Sequence, residues 1–191
     1  PNKIASQLEG SKSFTKEICK KYKIPTADFG IFQKFEDAIN FAQSSSFPLV
    51  VKADGLASGK GVYICDDFDG AKNALKEIFE GKFGEAKNVL LEEFLDGEEM
   101  SFFIISDGKT FKDFDTAQDH KRVLENDKGK NTGGMGAYSP SRLINIDLEK
   151  KIINQIIYPT LEGLKEMKIE YSGFLYAGLM IKNHNPYLIE Y

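Results

Sequence analysis

The chain has 191 residues, 41% of them hydrophobic, with 25 Lys and Arg against 29 Asp and Glu for a net charge of -4. That composition can bury a core in one domain or two small lobes, and it lacks the basic excess that holds a nucleic-acid backbone. No apolar run approaches the roughly 20 residues that cross a bilayer, and the first ten residues carry no signal-peptide pattern, so no membrane partner is expected and a cytoplasmic setting is.

Phe14, Ile18 and Tyr22 share one helical face and predict a helix over 12–22, ended ahead of Pro25 because proline disfavours helix in its predecessor. Phe35, Ala38, Ile39 and Ala42 predict a second helix. Phe68, Ala71, Leu75, Ile78 and Phe79 predict a third, with Asp67 as its cap. Between them, 47–53, 61–66 and 88–95 are short runs rich in β-branched and aromatic residues that read as strands of a small α/β lobe.

Strand signal continues through Met100–Ser106 and around Phe111 and Phe114, and Lys121–Pro140 then reads as a long polar, glycine-rich loop. Asp147 is placed to cap a long helix through Leu148, Ile152, Ile156, Leu161 and Leu164, kinked at Pro159. Strands near 173–182 and 186–191 follow. His184, between Asn183 and Asn185-Pro186, reads as a turn residue. A chain that opens on Pro1 and stops after Tyr187-Leu188-Ile189 reads as part of a longer protein. Cys19 and Cys65 stand far apart without CxxC spacing, which predicts two buried thiols rather than a disulfide or a zinc site.

Three segments carry chemistry. In the first, Lys52 ends a strand and Lys60 sits in the loop Gly55-Leu56-Ala57-Ser58-Gly59-Lys60-Gly61, which leads into another strand. Glycines let backbone N–H groups approach phosphate oxygens, and lysines supply the charge. A P-loop would need glycine at position 54 and a hydroxyl residue at 61, where Asp54 and Gly61 stand, so a β-loop-β phosphate cover fits better; a solvated hairpin is the alternative.

The second is acidic. Glu92 and Glu93 interrupt an apolar strand, and Asp96, Glu98 and Glu99 follow the Phe94-Leu95 corner. Unpaired charge inside a strand is costly, so these residues line a polar cleft, with Glu99 able to accept from ribose hydroxyls, or else form a solvated edge. In the third, Arg122 and Lys121 suit phosphate or carboxylate, Asp119 suits an amine, and His120 is a candidate base without a paired nucleophile. Asn131, Gly133 and Gly134 belong to the same loop. Gly133-Gly134-Met135-Gly136 is not a dinucleotide fingerprint, and a mobile surface loop remains the alternative.

The strings VVKADGLASGKGV, LLEEFLDGEEMSFF, TAQDHKRV, NTGGMGAYSP and SGFLYAGLMI with LIEY together resemble one family, phosphoribosylamine–glycine ligase, over nearly the whole chain. The resemblance implies an α+β ATP-grasp fold: a lead-in helix over 1–23, a small lid lobe over 24–93 and a larger lobe over 94–191, incomplete at its C-terminal end. ATP would lie between two antiparallel β-sheets.

It implies ATP-dependent joining of glycine to 5-phosphoribosylamine through glycyl phosphate, in purine biosynthesis, with Mg2+ or Mn2+ as the metal. Such chemistry needs positioning and charge neutralisation more than a protein nucleophile, which agrees with the lack of a Ser-His-Asp set. Lys52 and Lys60 would hold ATP phosphates under Ser58, Gly59 and Gly61. Glu92, Glu93, Phe94 and Leu95 would form the adenine hinge, Glu99 would bind ribose and Glu190 the metal. Asp119, His120, Lys121, Arg122, Asn131, Gly133 and Gly134 would bind substrate. The family pattern continues past Glu190 into an asparagine metal ligand and an arginine, so this chain is expected to be inactive alone. Another ATP-grasp carboxylate–amine ligase, or a nucleotide-binding module without catalysis, are the other readings.

Overall fold

The computed structural model describes residues 1–56, 61–84, 87–125, 128–132 and 135–191, with the backbone alone at 122 and 128–131. The chain divides into two compact units, Ser6–Leu95 and the segment Asp96–Tyr191 together with Pro1–Ala5. No helix among the described residues is long and apolar enough to cross a membrane.

The first unit opens with α1 (Gln7–Gly10), which had no periodic signal, and α2 (Lys12–Tyr22). Ser11 caps α2 by accepting from the Phe14 N–H, and Thr15 Oγ1 donates to Leu8 O at 2.7 Å, tying α1 to it. The buried side of α2 runs through Thr15, Lys16, Ile18 and Cys19, whereas Phe14 and Tyr22 are only half-buried, so the expected stripe is rotated. Lys23, in the left-handed region at φ 56°, ends the helix before Pro25 has any effect.

Four antiparallel strands form the sheet of this unit, in the order β1 (Phe29–Phe32), β4 (Val89–Glu93), β2 (Leu49–Ala53) and β3 (Val62–Cys65). Alternation gives it two unlike faces. Leu49, Val51, Ala53, Val89 and Leu91 pack against α3 (Phe35–Ser44) and α4 (Phe68–Phe79) through Ala38, Ala42, Ala71, Leu75 and Ile78. Each large aliphatic side chain buried there contributes about 1.5–3 kcal/mol relative to exposure. Asp67 caps α4 as expected, accepting from Gly70 N at 2.8 Å. The opposite face carries Phe29, Lys52, Leu90 and Glu92.

The second unit is built on another antiparallel sheet, ordered β12 (Asn185–Glu190), β11 (Ser172–Lys182), β5 (Glu98–Asp107) and β6 (Phe111–Asp113). Met100, Phe102 and Ile104 of β5 alternate inward, as do Leu175, Ala177, Leu179 and Ile181 of β11. Asn183 and His184, at φ 50° and 58°, form the β11–β12 turn, so His184 is a turn residue.

The segment 121–140, expected to be one irregular loop, contains one small ribbon and one strand of another. Strand β7 (Gln118–Asp119) pairs with β10 (Ala137–Tyr138), and β8 (Arg122–Leu124) pairs with β9 (Lys128–Asn131). Their pairing is set by backbone hydrogen bonds that leave no hydrophobic period.

The long helix differs from its sequence reading at two points. Asn145, not Asp147, is its cap: Asn145 Oδ1 accepts from Asp147 N at 3.1 Å and Leu148 N at 2.9 Å. The helix is then interrupted before Pro159 rather than at it. α5 (Ile146–Ile152) passes into a π-helical turn (Ile153–Ile157) and then α6 (Tyr158–Glu166). Proline removes one N–H and crowds the carbonyl four residues earlier, and the wider turn absorbs both effects.

Candidate functional site

Within the first unit, the strand register decides where the charges go. Val50 lies opposite Glu92 and Lys52 opposite Leu90, so Lys52 and Glu92 are diagonal neighbours on one sheet face. Lys52 Nζ lies 3.0 Å from Glu92 Oε2, and Lys16 Nζ, arriving from α2, lies 3.0 Å from the same oxygen. All three residues are buried, and Lys16 also donates to Thr26 Oγ1 at 2.5 Å. Glu92 is thus a buried ion-pair residue rather than part of an open acidic edge. Its other oxygen, Oε1, has no hydrogen-bond partner among the described residues.

Burial pushes the Lys16 ammonium below its ordinary value, only partly countered by Glu92 and reinforced by Lys52. On the same sheet face β3 presents Val62 and Ile64, 45% and 55% exposed. The cluster therefore adjoins an apolar shelf. Glu93 is exposed, Phe94 half-buried and Leu95 buried.

The start of the glycine loop is anchored by a residue to which the sequence assigned no role. Asp54 Oδ1 accepts from Ser13 N at 3.2 Å and Gly55 N at 2.9 Å, and its Oδ2 from Asn88 Nδ2 at 3.1 Å. Lys12 Nζ donates to Gly55 O at 2.6 Å. Burial raises the Asp54 carboxyl, but hydrogen bonds from Ser13, Asn88 and Gly55 outweigh it and hold the group below the usual carboxylate value. Across the loop Ala53 N donates to Gly61 O at 2.8 Å, closing its base. Ser58, Gly59 and Lys60 lie outside the described residues, as do Gly133 and Gly134 and the side chains of Arg122 and Asn131.

In the second unit, six sequence-marked or polar residues converge on one hollow: Glu99, Ser101, Asp119, Lys121, Tyr176 and Glu190. Glu190 reaches it through a β-bulge. Leu179 pairs with Leu188, yet Gly178 pairs with Glu190, so Ile189 is the surplus residue and Glu190 is turned onto the face of Gly178 and Ser101. Gly178 keeps that row open. A Cβ there would stand 2.7 Å from the Tyr176 hydroxyl and 3.2 Å from Glu190 Cγ.

Lys121 Nζ lies 2.6 Å from Glu99 Oε2 and 3.6 Å from Asp119 Oδ2. Burial lowers the Lys121 ammonium, but the bond to Glu99 and the charges of Glu99 and Asp119 raise it more. Burial and then the Glu190 charge push the Tyr176 hydroxyl up. The supporting ribbon is fixed by Gln118, whose Oε1 accepts from Tyr138 Oη at 2.6 Å and Ser141 Oγ at 2.9 Å.

His120 stacks on Tyr138 with ring centroids 5.5 Å apart, and its backbone N–H donates to Gly136 O at 3.0 Å. Carboxylate oxygens beside a small space are hard ligands suited to a divalent cation, although among the described residues no three His, Cys, Asp or Glu stand close enough together to hold a metal ion by themselves.

A family model for the phosphoribosylglycinamide synthetase ATP-grasp (A) domain matches residues 10–191. The chain belongs to this family. It is 50% identical over 194 residues to phosphoribosylamine–glycine ligase of Pasteurella multocida and 49% identical over 192 residues to that of Mesorhizobium japonicum. In both cases all of this chain and 45% of the relative are covered, so the chain spans less than half of those relatives' length.

A crystal structure of phosphoribosylamine–glycine ligase from Thermotoga maritima superposes with a TM-score of 0.92 at 38% identity, covering 100% of this chain and 49% of that one. The D-alanine–D-alanine ligase of Bacillus anthracis complexed with ATP matches at a TM-score of 0.67 and 22% identity, over 97% of this chain and 55% of that one, which shows the fold alone. The fold of this phosphoribosylglycinamide synthetase domain is therefore α+β ATP-grasp, built on antiparallel sheets as expected.

Besides Asp54, three contributors escaped the sequence reading. Lys16 lies off the apolar stripe assigned to its helix, Tyr176 reads as an ordinary strand aromatic, and the bulge at Ile189 leaves no compositional trace.

Proposed function

We propose that this chain is the ATP-binding part of a phosphoribosylamine–glycine ligase, which joins glycine to 5-phosphoribosylamine through glycyl phosphate and releases glycinamide ribonucleotide, ADP and phosphate. The convergence of Glu99, Asp119, Lys121 and Glu190 on one hollow carries this reading, because segments far apart in sequence supply one polar site.

Lys52 and Lys60 hold ATP phosphates, with Ser58, Gly59 and Gly61 closing over them. The apolar shelf of Val62 and Ile64 suits a purine face, and the unpartnered Glu92 Oε1 suits an amine donor. Glu93, Phe94 and Leu95 supply hinge backbone, and Glu99 accepts from the ribose. Glu190 is the oxygen ligand for Mg2+ or Mn2+, which neutralises phosphate charge when bound. Asp119, His120, Lys121, Arg122, Asn131, Gly133 and Gly134 hold the small substrates. Residues 24–93 serve as the lid lobe, led in by 1–23, and 94–191 as the larger lobe. The setting is cytoplasmic.

Calorimetric titration with Mg-ATP tests the reading. Wild type binds, and Lys52→Ala and Lys60→Ala each weaken binding at least tenfold, since each removes a charge-assisted phosphate contact. Binding that survives both substitutions unchanged overturns the assignment.

A further inference from the structure

We infer that Lys16 is a positioning residue for nucleotide binding, acting through Glu92 to leave Lys52 with positive charge available to a phosphate. This rests on the reading of Lys52 as a phosphate ligand. Glu92 Oε2 is shared equally, 3.0 Å from each ammonium. Were Lys16 absent, Glu92 would face Lys52 alone, and the buried pair would be neutral and closed on itself. With both lysines the cluster carries a net single positive charge.

Burial assigns the surplus to one side. The Lys16 side chain is 2% exposed and that of Lys52 8%, and Lys52 shares its sheet face with the exposed Val62 and Ile64. Lys16 is fixed from behind by Thr26 Oγ1 and lies 5.4 Å from the Phe29 ring centroid. It has no route to a ligand of its own. A buried ion cluster is weak as a stabilising device, because desolvation offsets the attraction, so a lysine retained at full burial calls for a role in what the cluster presents.

The test uses the 191-residue chain and reads the preference for Mg-ATP over adenosine, so that changes at the purine cancel. Lys16→Met keeps the length of the stem and removes the charge; the preference falls about tenfold, as for loss of one charge-assisted contact. Lys16→Met combined with Glu92→Gln restores the single positive charge and recovers at least threefold of that loss. A double variant no better than Lys16→Met, or a Lys16→Met chain with unchanged preference, overturns the inference. If Lys16→Met fails to fold, the charge-balanced double variant is measured directly: wild-type-like preference supports the inference and lost preference overturns it. Lys52→Met with full preference overturns instead the phosphate role of Lys52, and the inference with it.

Discussion

Glu99 and Lys121, 22 positions apart in the sequence, form an ion pair of 2.6 Å in the lining of the hollow that also contains Glu190. Both side chains are about two-fifths exposed, at 42% and 40%, so the pair is open to exchange with a ligand at little cost. If Glu99 accepts from ribose hydroxyls, wild type prefers ATP over 2′,3′-dideoxy-ATP and Glu99→Ala loses that preference. Its affinity for ATP falls by about 1.5–3 kcal/mol, the range for a hydrogen bond to a charged group. A variant that still discriminates between the two nucleotides removes Glu99 from the ribose site.

Asp54 gives a prediction about pH. Its carboxyl is held below the ordinary 3.8 in the folded chain. A depressed carboxylate contributes stability that is fully present above its unfolded value and lost as pH falls through the folded one. Asp54→Asn therefore costs about 1.5–3 kcal/mol in urea unfolding at pH 7, the range for hydrogen bonds to a charged group. The gap between variant and wild type narrows at pH 3. An equal gap at both pH values would show that the charge contributes nothing.

Substitution of glycines separates packing from the site. Alanine at Gly97 meets the Ile181 carbonyl oxygen at 2.5 Å, a backbone atom that cannot swing aside, and costs about 1–3 kcal/mol. Alanine at Gly10 meets nothing within 4 Å and stays within about 0.5 kcal/mol of wild type. Alanine at Gly178 collides with the Tyr176 hydroxyl and Glu190, so its effect should appear chiefly in the response to Mg2+: the metal ceases to tighten nucleotide binding. Thermal unfolding and calorimetry on the three variants check the order, and undiminished metal dependence in Gly178→Ala contradicts the role given to Glu190.

Both cysteines are free and buried. Burial pushes the Cys19 thiol up to about 12 and Cys65 in the same direction. Thiolate is the reactive form, so neither reacts with an aromatic disulfide reagent at pH 8 in the native chain, and both react after denaturation. Rapid native labelling at either position would contradict the burial.

The elements with strong periodicity were legible in the sequence. The 12–22 helix, the Asp67 cap and the Asn183-His184 turn are dictated by local chemistry within a few residues. The sheet pairing was not, because Lys52 meets Glu92 only through a register between strands 40 residues apart. Lys16 was missed for the same reason: a lysine on a helix reads as solvated until the strand carboxylate that compensates it is in place. Glu92 was marked as unusual inside an apolar strand, but the sequence could not say what paired with it. Glu190 was marked only by family likeness, while the bulge that turns it onto the face of Gly178 was invisible.

The π-helical turn at Ile153–Ile157 places Ile156 and Ile157 side by side at 0% exposure. In effect the helix carries one supernumerary residue, stored as a widened loop of backbone ahead of Pro159. Deleting one residue there would shorten the sequence yet lengthen the continuous α-helix, and would bring the Pro159 ring against the carbonyl four residues earlier. Leu164 would keep its place in the core. The extra residue thus accommodates the proline and leaves the facing of the downstream helix unchanged.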